Sequence, residues 1–178
     1  MANVLVDRMI RACKLDVHVF EEVEADTTAT NQALGVVVLS AVAAGVGTTR
    51  GGEFGGILVG GVAALLSWYV WAYLTYWIGV KLLPEPQTHA THGELLRTVG
   101  FSSAPGLIRV LGVIPGLRGL VFLVAGIWML VAMVVAVRQA LDYHSTWRAV
   151  GVCVIGWFIQ GIIMGLILFL FGSPNQAV

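Results

Sequence analysis

Leu120–Val137 is an unbroken run of eighteen apolar residues without a charge. A helix of that length, at about 1.5 Å per residue, meets the minimum for crossing the roughly 30 Å hydrocarbon core of a bilayer. At the bilayer centre each Leu, Ile, Val or Phe favours insertion by roughly 0.3–0.6 kcal/mol, whereas one Arg or Asp opposes it by roughly 2.5–3.5 kcal/mol. Arg118 and Arg138 therefore mark the two membrane edges of this span. Asp142 follows Arg138 at the i, i+4 spacing that lets two charges pair on a helix.

The stretch just before this run carries two breaks, Pro105-Gly106 and Pro115-Gly116. Proline has no N–H to donate and pushes the preceding residue out of the α region. Ala104 and Ile114 should therefore each end or kink a helix. In lipid such a break persists only where protein or water satisfies the freed backbone groups, so residues 101–119 should be packed in a bundle or lie at its rim.

Of the 178 residues, 58% are apolar and only 11% charged, against about 25% charged in soluble domains. The whole chain, 1–178, reads as one all-α, polytopic membrane domain. Ten basic and ten acidic residues leave no basic patch, which argues against nucleic acid as a partner. Cys13 and Cys153 do not suggest a disulfide framework. His89 and His92 stand three apart with Glu94 nearby, but a zinc site usually needs three or four ligands and no further convincing set exists, so neither a metal nor a cofactor is expected.

Residues 1–26 lack the apolar region of a signal peptide. Leu5, Met9, Cys13 and Val17 recur every four residues, with Asp7, Arg8, Arg11 and Lys14 on other faces. This is an amphipathic interfacial helix, lying on the membrane or packed on the protein itself. Spans follow near 31–47, 55–83, 95–113, 118–138 and 148–171. The third is short, proline-broken and burdened with Arg97 and Arg109, so it crosses or forms a re-entrant hairpin; five transmembrane helices is the preferred count. Gly56 and Gly60 in the second span, and Gly161 and Gly165 in the last, have GxxxG spacing for close helix packing. Gln160 is the polar side chain of the last span and suits an interhelical hydrogen bond. Arg148, with Trp147, anchors that span at its edge. With either topology seven basic residues share the side of the N terminus against three, which places the N terminus in the cytoplasm of a cell with an inner or plasma membrane.

Three segments carry a resemblance: RACKLDVHVFEEVEADTTATNQALGVVVLS (11–40), LLRTVGFSSAPGLIRVLGVIPGL (95–117) and WMLVAMVVAVRQALDYHSTWRAVGVCVIG (128–156). Together they resemble the Yip family, membrane proteins named for interaction with Ypt/Rab GTPases, and its bacterial branch in particular. The resemblance implies five membrane helices, a cytoplasmic N terminus and no enzymatic activity. Eukaryotic members are implicated in vesicle traffic, GTPase recruitment and membrane shaping. This sequence departs from them in lacking a long N-terminal cytosolic region and a DLYGP-type motif.

Among function classes, no nucleophile–base pair, acid pair or phosphate loop points to an enzyme. A scaffold or accessory subunit is expected, with membrane lipid and another membrane protein or larger membrane complex as partners. The contact residues expected are Trp68, Trp71, Tyr73 and Trp77, read as one aromatic face, together with Pro105 and Pro115 of the kinked segment. A small transporter or channel working as a homo-oligomer is the alternative.

Overall fold

The apolar run forms the centre of a 23-residue helix, Arg118–Ala140, in a computed structural model that describes residues 2–48 and 54–171. Among the described residues the chain is all helical, with no strand. Its α-helices are α1 (Ala2–Cys13), α2 (Val17–Ala25), α3 (Ala29–Thr48), α4 (Phe54–Trp77), α5 (His92–Phe101), α6 (Arg118–Ala140) and α7 (Thr146–Phe171). A π-helical turn, Ile78–Leu82, extends α4, and a 3₁₀ segment, Ala104–Val113, follows α5. Among the described residues four helices are long and apolar enough to cross a membrane: Ala29–Thr48, Leu58–Leu82, Arg118–Ala140 and Thr146–Ile163. The loop holding Arg50 and Glu53 lies outside the described residues.

The N-terminal segment is two helices rather than one. Leu15 takes the left-handed conformation (φ 61°), which breaks the helix, and Asp16 then caps α2 by accepting the His18 N–H at 3.0 Å. Arg8, buried, holds the hairpin to the bundle. Its guanidinium pairs with Glu22 at 2.8 Å and Asp26 at 2.9 Å, and donates to Gln32 of α3 at 2.9 Å. The α1 helix packs on the protein: Leu5, Met9 and Cys13 lie on a core cluster that includes Phe20, Val23, Phe101 and Ala136. The Trp128 indole N–H of α6 donates to the Cys13 carbonyl at 2.8 Å. Val4, Val6 and Ile10 remain exposed on its outer face.

A capping box starts α5: the Thr91 hydroxyl accepts the Glu94 N–H at 3.3 Å, and the Glu94 carboxylate accepts the Thr91 N–H at 2.7 Å. The helix gives way before Pro105, which sits in the first turn of the 3₁₀ segment, and that segment ends at Val113, before Ile114-Pro115. The broken unit lies alongside α3 and parallel to it. Gly100 faces Ala33, Gly106 faces Ser40, and Gly112 and the Arg109 carbonyl face Gly47. From Ala33 to Gly47 is about 21 Å of helix at ~1.5 Å per residue. The return leg is α6: Phe122 lies against Gly47 and Gly112, Met129 against Gly106, and Ala136 in one cluster with Ala33.

The end of the bundle nearest the N terminus is tied by its loops. The Tyr143 hydroxyl lies 3.0 Å from the Gly79 carbonyl and 2.7 Å from that of Leu83, capping the wide π turn. Glu85 accepts the His144 N–H at 3.0 Å and pairs with Arg148 at 3.3 Å. The expected Arg138–Asp142 pair does not form. Helix α6 ends at Ala140, Asp142 turns left-handed (φ 53°), and Arg138 donates instead to the Tyr143 carbonyl at 3.2 Å.

A polar cleft of about 500 Å³ at this end is lined by Glu24, Asp142, Arg138 and His144, among others. Burial, with Asp142 and Glu94 adding repulsion against the weaker pull of Arg97, pushes the Glu24 carboxyl up to about 7. The folded state thus holds this proton more tightly than the unfolded chain. The resulting stabilisation is full below the unfolded value, ~4.3, and is lost as pH rises through about 7. Glu24→Gln should therefore raise the thermal midpoint at pH 8 by clearly more than at pH 5. Equal shifts at the two pH values would remove this account of Glu24.

Candidate functional site

The aromatic residues expected on one face of α4 divide between two. At 3.6 residues per turn, Trp68 and Trp71 share one side of the helix, while Tyr73 and Trp77 fall on the opposite one. Trp68 and Trp71 turn into the bundle, and the Trp68 indole donates to the Leu96 carbonyl at 3.0 Å. Tyr73 and Trp77 point outward, 55% and 45% exposed. Pro105 is buried and Pro115 is exposed in the turn before α6, so the six residues do not make one surface. Among the described residues, no other part of the fold comes within 4 Å of a Cβ built on Gly60, Gly161 or Gly165, and the surroundings of Gly56 lie outside the described residues. Arg118 is exposed at the start of α6.

Between the helices is an open-sided, mostly apolar cavity of about 250 Å³ to which α3, α4, α5, the 3₁₀ segment, α6 and α7 all contribute. That is room for roughly eight waters at ~30 Å³ each. Its polar wall comprises Ser40, Ser67, Ser103, Trp71, Arg109 and Gln160. Arg109 reaches it because a 3₁₀ helix stacks every third residue, which puts Gly106, Arg109 and Gly112 in one row. The two glycines bring that row against α3, and the guanidinium lies beside Met129, the middle residue of α6. There it contacts the Met129 sulfur at 2.8 Å and the Phe122 ring, 5.8 Å to the centroid. Its Nε is buried and, among the described residues, has no hydrogen-bond partner. The same is true of the Trp71 indole nitrogen and of Gln160 Oε1, so that oxygen makes none of the interhelical bonds expected of it. Among the described residues no carboxylate lines the cavity.

An apolar groove of about 330 Å³ adjoins it, walled by Leu130, Val134, Val150, Cys153, Val154 and Trp157. Trp71 and Met133 belong to both spaces. Among the described residues no three His, Cys, Asp or Glu side chains converge as metal ligands would. His92 instead packs edge-on against Tyr69 and Tyr73, with ring centroids 5.0 and 5.8 Å away. The sequence did hold a signal for the cavity, the Gly106-x-x-Arg109-x-x-Gly112 spacing, but it becomes legible only once that stretch is known to be a 3₁₀ helix.

No curated protein and no solved structure matches the chain. The Yip1 domain family model matches residues 18–169, from the start of α2 to near the end of α7, and so takes in every wall of the cavity. On that match, and with four helices apolar and long enough to span a bilayer, the chain is a multi-pass membrane protein that belongs to the Yip1 domain family.

Proposed function

We propose that this protein is a non-enzymatic scaffold or accessory subunit of the bacterial cell membrane, binding lipid and another membrane protein within the bilayer. The observation that carries this reading is a pair of apolar faces that the chain leaves uncovered. On the first half of α4, Leu58, Val59, Val62 and Leu66 are each more than half exposed around Gly60. On the second half of α7, Ile162 and Leu166 are exposed around Gly161 and Gly165. Bare glycines on such a face let another helix approach closely.

The reading includes five crossings, the proline-broken unit being the third. Ten residues at ~1.5 Å and ten at ~2.0 Å give α5 and the 3₁₀ segment a combined length of about 35 Å, enough to span the core. Their course beside α3 supports the same view. Arg8, Arg11, Lys14, Lys81, Arg97, Arg138 and Arg148 then share the N-terminal side, which the positive-inside rule makes cytoplasmic. The cavity favours a second reading, a homo-oligomeric transporter or channel, because broken helices beside polar side chains are how transporters build substrate sites.

Extraction in mild detergent, affinity isolation and mass spectrometry test the choice. The expected result is one stoichiometric companion, lost from the variant Gly60→Leu/Gly165→Leu while the chain keeps its helicity. Trp77→Ala, on the outward aromatic side, should weaken retention. Recovery of the chain alone, as a homo-oligomer that moves a solute into liposomes, would replace the scaffold by the transporter.

A further inference from the structure

The cavity presents a cation with unpaired donors and, among the described residues, no acid to neutralise it. An arginine at the level of the middle of α6 is costly in hydrocarbon unless something compensates it. Among the described residues, the buried side-chain atoms there without a hydrogen-bond partner are two donors, Arg109 Nε and the Trp71 indole N–H, and one acceptor, Gln160 Oε1; serine hydroxyls also stand on the wall. Such a set suits an oxyanion, which accepts several charge-assisted bonds at once. The space next door lacks such a cluster of polar groups. The groove between α6 and α7 is apolar, and its wall residues Leu130, Val154 and Trp157 are exposed on the outside of the bundle. Trp71 and Met133 form the boundary between the two. A cavity with a cluster of polar groups around Arg109 in an otherwise apolar wall, adjoining an apolar trough, matches a molecule with a charged head and a hydrocarbon tail.

We propose that the bundle holds one amphiphile, its carboxylate or phosphate oxyanion on Arg109 and the Trp71 N–H, and its acyl chain in the groove between α6 and α7. The inference deepens the lipid-binding part of the proposed function and rests on it. A lipid phosphate and a free fatty carboxylate offer the same head chemistry, so the test has an arm for each.

The full chain, purified in an uncharged detergent, is titrated with dibrominated stearate, dibrominated phosphatidate, a neutral dibrominated monoacylglycerol and inorganic phosphate. Bromine quenches tryptophan on contact, so a chain in the groove should quench Trp71 and Trp157 saturably. The stearate or the phosphatidate should do this, and whichever does names the head group; the neutral lipid should not, and phosphate alone should leave fluorescence unchanged while competing weakly. Trp71→Phe and Trp157→Phe should each remove part of the saturable quenching, since both indoles line the groove. Arg109→Gln should weaken binding by about tenfold or more, the scale of losing bonds to a charged group. Val154→Phe, which narrows the groove and leaves Arg109 in place, should weaken it too, and it serves if Arg109→Gln does not fold. Equal quenching by the neutral lipid, or unchanged affinity in both Arg109→Gln and Val154→Phe, overturns the proposal. If the charged lipids fail to quench while the stoichiometric companion is still retained, this inference falls and the scaffold reading stands.

Discussion

Arg97→Met should cost the protein about 2–6 kcal/mol, out of the ~5–15 kcal/mol typical of a folded domain, and sharply reduce its recovery as a monodisperse species. Arg97 is 6% exposed. Its Nε donates to the Val23 carbonyl at 2.8 Å, and its Nη2 donates to the Glu24 carbonyl. Both carbonyls belong to the last turn of α2, where no further helical N–H is available to them. A cation there also meets the negative end of the helix dipole. Methionine keeps a long apolar side chain but leaves two buried acceptors unpaired, at ~1–3 kcal/mol each. Lysine carries the charge without the planar fork, so it can serve one carbonyl well but not both, and Arg97→Lys should fall between. Thermal unfolding of the detergent-solubilised protein reads the order wild type, Lys, Met. A methionine variant within about 1 kcal/mol of wild type, less than one lost bond of this kind, would show that the α2–α5 clamp is not what holds the N-terminal hairpin.

The same residue shows where reading the sequence stops. Hydropathy treats Arg97 and Arg109 as two equal burdens on a weak span, because it counts charges without knowing what surrounds them. In the structure Arg97 donates to two backbone carbonyls, while Arg109 faces a cavity. The long continuous helices are legible because crossing a membrane needs only length and apolarity, and both are visible residue by residue. The α1–α2 break is not legible in that way: its left-handed residue is Leu15, whereas Gly or Asn is what normally announces such a turn. Pro105 and Pro115 announce that a helix is interrupted, and the structure adds that a 3₁₀ segment lies between them. The α4 aromatics suggest a belt, and nothing in their spacing says that Trp68 and Trp71 have α5 and α7 to pack against while Tyr73 and Trp77 have an exposed side.

Glycine spacing misleads in a related way, and this yields the second large effect. Gly47→Ala should destabilise the chain strongly, whereas Gly60→Ala should be neutral or slightly stabilising in the isolated protein. A Cβ on Gly47 would sit 1.9 Å from the Arg109 carbonyl oxygen and 3.0 Å from its carbon, with the Phe122 ring at 3.2 Å. The first two obstacles are backbone, so no change of rotamer relieves them, and α3 must separate from the 3₁₀ segment along their contact. Overpacking of this kind costs about 1–3 kcal/mol or more. At Gly106 the added Cβ would meet the Ser40 hydroxyl at 2.1 Å and the Met129 sulfur at 2.9 Å. Those are side-chain atoms that can turn aside, so Gly106→Ala should cost less than Gly47→Ala. At Gly60 no other part of the fold lies within 4 Å among the described residues, and only the gain in helix propensity acts, about 1 kcal/mol at most. The thermal midpoints in detergent should therefore rank Gly47→Ala lowest, Gly106→Ala next and Gly60→Ala at or above wild type. Because the Gly47 contact falls on the backbone of Arg109 itself, Gly47→Ala should also weaken binding of the charged brominated lipid, and Gly60→Ala should leave it unchanged. A Gly47→Ala protein as stable as Gly60→Ala would mean that the α3–3₁₀ contact is looser than its geometry, and that the cavity wall is not fixed by it.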